Sequence, residues 1–206
     1  MIAYWINAHD KLTGALWEHI SMVGITMVIA ILLAGAIVVF FRRVGHGMDM
    51  ITHVLSALYS IPSLALFAVL IPFSGLGRTT AVIVLVLYAQ YILVRNFRMG
   101  LEEVEGSVLE AARAMGMSPS QIFWKVELPL ASGSILAGIR LAATSTIGIA
   151  TIASSINGGG LGRILFDGLR TLSLVKILWG TILAAALCIL VNAALGLLEK
   201  RMHKGK

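Results

Sequence analysis

The chain has 206 residues, of which 58% are hydrophobic and 13% charged, with a formal net charge of +6 and a mean hydropathy of +0.92. This balance excludes a water-soluble globular domain. The basic residues flank apolar runs and form no patch with aromatics, which argues against nucleic-acid binding, and the single cysteine, Cys188, excludes a disulfide framework or a thiolate metal site.

The first 21 residues lack the basic start and continuous apolar core of a cleavable signal. Tyr4, Trp5, Leu12, Leu16, Trp17 and Ile20 instead predict a helix lying in the outer interface, anchored by its Trp and Tyr rings. Five apolar runs then follow, at 22–41, 51–72, 79–97, 130–153 and 177–198. Each suits a hydrocarbon core that needs about 20 residues of helix. The expectation is one all-α, polytopic membrane domain over 1–206, with a polar loop at 98–129.

The second run contains Pro62, which frees a carbonyl and bends a helix; the Ser60 and Ser63 hydroxyls are the expected compensation. The bend reads either as a packing kink or as a hinge or constriction in a pathway. Tyr59, Tyr88, Gln90 and Tyr91 are polar groups at membrane depth, where such groups face protein or a water-filled cavity. With Pro62 and Ser63 they are candidates for a translocation pathway, in which aromatic rings can pass on a quaternary ammonium by cation–π contact. Ordinary interhelical hydrogen bonding is the alternative for each.

The loop at 98–129 is polar and helix-forming. Ser107 and Glu110 fit a capping box that starts a helix at Val108, and Gly116 suits the left-handed position that ends it. Ser118, Pro119 and Gln121 repeat the logic as N-cap, first helical residue and reciprocal cap. Two short helices with a glycine corner are predicted, the first made of small residues that admit a partner's groove. Just before them Glu102, Glu103 and Glu105 form a solvated acidic face. Further on, Arg140 lies inside an apolar run and requires a partner or a path to the interface; a structural role is expected for it. The five histidines are scattered without metal-ligand spacing, and neither a metal site nor a catalytic constellation is predicted.

Glu110-Ala111-Ala112, then Gly116, then Val126, Leu128 and Pro129 read as E-A-A-x-x-x-G-x9-V-x-L-P. This resembles the cytoplasmic coupling signature of bacterial ABC importer permeases, where Ile usually stands in place of Val126. The segments Tyr59–Leu64, Pro72–Arg78, Val126–Ala131, Ala137–Arg140 and Asn157–Gly162 narrow the resemblance to permeases of osmoprotectant importers, over residues 22–198. One departure is Ile92, where relatives often carry proline, which predicts a straighter third helix.

The resemblance implies a type I importer permease with five core transmembrane helices and a cytoplasmic coupling helix, in which Glu110, Ala111, Ala112, Gly116, Leu128 and Pro129 engage the ATPase. It implies two ABC ATPase subunits, which bind ATP and Mg, an extracytoplasmic substrate-binding protein, and a second permease, identical or related; no cofactor is expected in this chain. The cargo implied is glycine betaine, choline, carnitine or a related quaternary amine. With the coupling loop inside, ten basic residues face the cytoplasm against five outside, as the positive-inside rule requires. The N-terminus is then outside the bacterial cytoplasmic membrane, and the basic tail 199–206 lies at the inner leaflet. On this topology the glycine run 158–162 is an outer, flexible connection, not a phosphate loop, with Arg163, Asp167 and Arg170 available to the binding protein. Importers of methionine or another small solute remain the nearest alternative, and a membrane enzyme or a channel the more distant ones.

Overall fold

A computed structural model describes residues 1–204. Gly205 and Lys206, the end of the expected inner-leaflet tail, lie outside the described residues, as do the side chains at 2, 3 and 202–204. Among the described residues the fold is all-α. Four helices among these residues are long and apolar enough to cross a membrane, and a fifth candidate is a bent pair.

The first helix, α1, runs unbroken over Ile2–Val44, 43 residues. At 1.5 Å per residue it is about 65 Å long, roughly twice the thickness of a hydrocarbon core. The sequence suggests an interfacial helix followed by a span, whereas here nothing separates them. The reason is that the N-terminal half has its own packing: Leu12 and Ala15 are fully buried against Leu161 and Ile164, and Trp5 stacks on Trp179 at 5.0 Å. A left-handed Gly45 ends α1, with Arg42 and Arg43 in its last turn where cations favour the helix dipole.

Helices α2 (Met48–Ser60) and α3 (Ser63–Ser74) meet at an angle of 100°. The sequence-based expectation was a kink within one span, relieved by serines. The chain instead breaks, because Pro62 forces Ile61 into extended backbone and cannot itself donate to the preceding turn. The Ile61 carbonyl is taken by the Tyr88 hydroxyl, while Ser60 Oγ donates to Ala57 in its own helix at 2.7 Å.

Helix α4 (Arg78–Glu102) is the centre of the bundle. It carries no proline and no break, in keeping with Ile92. Of its most apolar window 67% is buried, against 6% for the last helix, α9 (Leu174–Lys204). Its own Leu85 and Leu93 are fully buried, as are Phe67 and Ile147 of the helices around it. Between these helices lie α5 (Gly106–Ala114), α6 (Pro119–Ile122), α7 (Leu128–Ile152) and α8 (Gly162–Arg170).

The glycine run before α8 is not the flexible connection the sequence suggests. The Gly160 amide donates to Glu18 Oε2 at 3.0 Å and the Gly158 amide to the Ala153 carbonyl at 2.9 Å. Its glycines are there because backbone from three elements converges on it: a Cβ on Gly162 would stand 1.7 Å from the Thr151 carbonyl oxygen.

Helices α4 and α7 approach so closely that a Cβ on Gly138 would lie 2.4 Å from Asn96 Cβ. Gly138→Ala is therefore expected to cost about 1–3 kcal/mol by overpacking and to lower the melting temperature of the detergent-solubilised protein. Gly24→Ala, whose new methyl meets nothing within 4 Å, is expected to leave it unchanged or slightly raised.

The candidate coupling site and pathway

Helix α5 ends as the sequence predicts. Gly116 has φ +79°, its amide donates to Arg113 and that of Met117 to Ala112, at 2.9 and 3.2 Å. These are the paired bonds of a Schellman corner. The second cap is also in place: the Gln121 amide donates to Ser118 Oγ at 3.3 Å, and the Ser118 amide to Gln121 Oε1 at 2.8 Å.

The first cap is not where the sequence puts it. Helix α5 begins at Gly106 with Glu105 as N-cap residue, so Ser107 already lies inside the helix. The amides of Val108 and Leu109 reach back to the Glu105 carbonyl, and Ser107 Oγ turns to Glu105 Oε2 at 3.3 Å. The chain enters the helix at Gly106, two residues sooner than a Ser107 cap would allow.

The corner displays one face and buries the other. Glu110, Ala111, Ala114, Gly116 and Met115 are exposed, while Ala112 and Ile122 are buried. Leu128 is half-buried and Pro129 exposed. Between α6 and α7 the chain takes a π-helical turn, Phe123–Glu127, in which the Leu128 amide reaches back five residues to Phe123. Pro129 has no amide proton to continue the regular ladder, which makes the wider turn tolerable.

That turn carries a group which sequence reasoning missed. Glu127 is 2% exposed and pairs with Arg42 at the end of α1. The Arg42 guanidinium also lies 5.4 Å from the Phe123 ring centroid. Cavities of about 580 and 490 Å³ flank the pair, which lines both. A signal was present: Glu127 is one of two acids between residues 106 and 166 and abuts an apolar run, while Arg42 and Arg43 close another.

The pathway candidates divide. Tyr59 lies 5.1 Å from Tyr91 and 5.5 Å from Tyr88, centroid to centroid. Pro62 and Ser63 form the break that Tyr88 fastens. Gln90 does not join them: it is buried on the other side of α4, donating to the Ala30 carbonyl of α1 at 3.1 Å. Arg140 is structural as expected, bonded to Asn192 at 2.9 Å and paired with Glu199 at 2.7 Å, which ties α7 to α9.

At the opposite end from α5, Arg163, Asp167 and Arg170 line one cavity of about 910 Å³ with Lys11 and Lys176. They are already engaged: Arg163 with Glu18 at 3.4 Å, and Asp167 with Arg170 at 3.3 Å and Lys176 at 2.7 Å. The hydrogen bond from the Lys176 ammonium, aided by Arg170, holds the Asp167 carboxyl below the usual carboxylate range. Among the described residues no three His, Cys, Asp or Glu side chains are grouped to hold a metal.

Residues 26–204 match the family described as binding-protein-dependent transport system inner membrane component. The chain is 36% identical to the carnitine transport permease protein OpuCB of Listeria monocytogenes over 196 residues, 95% of this chain and 89% of that one. It is 34% identical to the choline transport system permease protein OpuBB of Bacillus subtilis (strain 168) over 186 residues, covering 90% and 86%. In fold it is similar to a chain of the inward-facing MetNI methionine ABC transporter, with a TM-score of 0.81 at 21% identity over 93% and 95% of the two chains.

Only the carboxylate of this pair is buried, the Arg42 side chain being 40% exposed, so the cost of leaving Glu127 unpaired is expected to fall below the about 3–5 kcal/mol of a fully buried pair. Arg42→Met, which strands the buried Glu127 carboxylate, is still expected to lower the melting temperature clearly, and Glu127→Gln added to it to restore most of the loss in a double-mutant cycle. At the other end, the Asp167 contribution to stability is present above the ordinary carboxylate value of 3.8 and is lost as the pH falls through the lower folded value. Melting temperature measured against pH should fall more steeply in that acid range for the wild type than for Asp167→Asn.

Proposed function

The chain belongs to the family of binding-protein-dependent transport system inner membrane components, the permease subunits of ABC importers, and on that premise we propose that it carries a small osmoprotectant into the cell. The cargo class is glycine betaine, choline, carnitine or a related quaternary amine. Supporting it are relatives named as carnitine and choline permeases, 36% and 34% identical across nearly the whole chain. The likeness to the methionine transporter, at 21% identity, concerns fold alone, so methionine import is the weaker reading.

The chain is a transport subunit and not an enzyme. ATP and Mg would be bound by two separate ATPase subunits, and cargo delivered by an extracytoplasmic binding protein to a pair of permeases. In this reading α5 faces the cytoplasm as the coupling helix, the N-terminus lies outside and the C-terminus inside, and the protein resides in the bacterial cytoplasmic membrane. Closure of the ATPases moves α5, and the movement reaches the spans as a rigid-body rotation that opens the cavity outward.

The observation that carries the coupling assignment is the exposed face Glu110, Ala111, Ala114 and Met115 on a helix whose other side is anchored. Small side chains there admit a groove, and the Schellman corner fixes the helix direction. Arg163, Asp167 and Arg170 of α8 are assigned to the binding protein, although their internal pairing means that docking competes with existing bonds.

Purification of the tagged protein from its native membrane in mild detergent, with mass spectrometry of co-purifying chains, tests this. An ATPase subunit is expected with the wild type. Recovery is expected to fall about tenfold or more, a loss of about 1.4 kcal/mol, for Glu110→Lys and for Gly116→Val, whose branched side chain resists the left-handed corner. Equal recovery with both variants would remove α5 from the interface.

A further inference from the structure

The bend at Pro62 does more than redirect the chain, because it builds a small site against α4 and α7. A cavity of about 400 Å³ is lined by Tyr59, Tyr91, Ile92, Leu141, Thr144 and Ser145. That volume falls in the range of small-ligand sites. Its aromatic wall is fixed: Tyr88 bonds the Ile61 carbonyl at the break and meets Tyr59 edge-on, and Tyr59 lies against Tyr91.

One turn along α4 from Tyr91 stands Arg95. Its Nη1 donates to the Tyr91 hydroxyl at 2.9 Å, and its guanidinium carbon is 5.9 Å from that ring's centroid. Arg42, Arg98, Arg140, Arg163 and Arg170 each have a carboxylate partner. Arg95 has none among the described residues, yet it and Thr144 are exposed on elements long and apolar enough to cross a membrane. The Thr144 hydroxyl is met by the Arg140 carbonyl of its own helix at 2.9 Å, but a guanidinium without a counter-charge is costly against lipid, so this face is expected to border a water-filled cavity.

The two halves of the site have opposite preferences. Aromatic rings attract a quaternary ammonium, which has no proton to donate and carries a diffuse charge. A guanidinium with free N–H groups attracts a carboxylate, in a planar two-bond geometry. Tyr91 belongs to both halves, since its ring lines the cavity and its hydroxyl holds Arg95.

We propose that Tyr59, Tyr91 and Arg95 form a station in the transport pathway for zwitterions carrying both a quaternary ammonium and a carboxylate. This rests on the osmoprotectant reading above and sharpens it: betaine-like cargo is favoured, and choline, which has the ammonium without the carboxylate, is repelled by Arg95. Arg95 is then a specificity-determining residue within the permease, separate from whatever selection the binding protein makes.

The test uses the complete importer, with its ATPase and binding protein, in proteoliposomes, and measures uptake of glycine betaine and of choline separately. Arg95→Gln is expected to lower glycine betaine uptake about tenfold, with choline uptake unchanged or raised and the ATPase retained at wild-type stoichiometry. Tyr91→Phe, which keeps the ring but frees Arg95, should give a smaller fall for glycine betaine, and Tyr59→Leu should lower uptake of each cargo that the wild type carries. Glycine betaine uptake at the wild-type rate in Arg95→Gln, or an equal fall for both cargoes, overturns the station while leaving the osmoprotectant reading intact. With carnitine uptake measured beside them, a wild type that imports choline but neither glycine betaine nor carnitine also overturns it, and one that imports none of the three overturns the cargo class and the station together.

Discussion

A carboxylate withdrawn from water at the foot of a membrane helix has to be matched, and Glu127 is matched by Arg42. Because the partners come from residues 85 apart in the chain, the pair is a tertiary constraint: it pins the end of α1 to the π-helical turn from which α6 and α7 diverge. The exposed corner of α5 and α6 hangs from that turn. Its outward face is thus set by a buried charge, although none of its own displayed residues is buried. An apolar pair of the same shape would hold the two elements as well or better. An ion pair has a different property, since it fixes direction and register, and a segment that has to pass motion to the spans requires both.

The centre of the bundle is organised by the opposite means. Helix α4 is enclosed by apolar packing, with Leu85, Leu93 and Val84 fully buried, and the polar groups it carries are each directed. Gln90 reaches back to α1, Tyr88 fastens the break between α2 and α3, and Arg95 ends on Tyr91. A single helix therefore presents a structural hydrogen bond on one side and an aromatic, partly exposed wall on another. Helix α9, by contrast, has few fully buried residues and packs by one side, with Leu187, Val191 and Leu195 against the core, as a helix does whose other neighbours are lipid or a second subunit.

Local signals in the sequence were dependable where the chain's own backbone chemistry decides the outcome. The Gly116 corner and the Ser118–Gln121 box are contained within a few residues, and both are found as read. The Ser107 cap failed by two residues because the helix starts from Glu105, whose backbone carbonyl takes the first bonds without any side-chain cap. The glycine run at 158–162 was misread as slack for a different reason. Glycine means either freedom or close approach, and which of the two depends on what lies beside it: here Glu18, far away in the sequence, and Thr151 at the end of α7.

By itself the sequence determined the all-α membrane class, the apolar segments, the polar corner with its small-residue motif, and so the family, because these rest on composition, period and short-range caps. The tertiary structure alone decided that α1 is one helix packed on α8, that Pro62 breaks the chain through 100°, that Gln90 leaves the tyrosines, and that Arg42 meets Glu127. Each of these depends on a partner distant in the chain. An unpaired polar group costs too much in an apolar interior to remain so, but which partner satisfies it is settled only when the helices have packed.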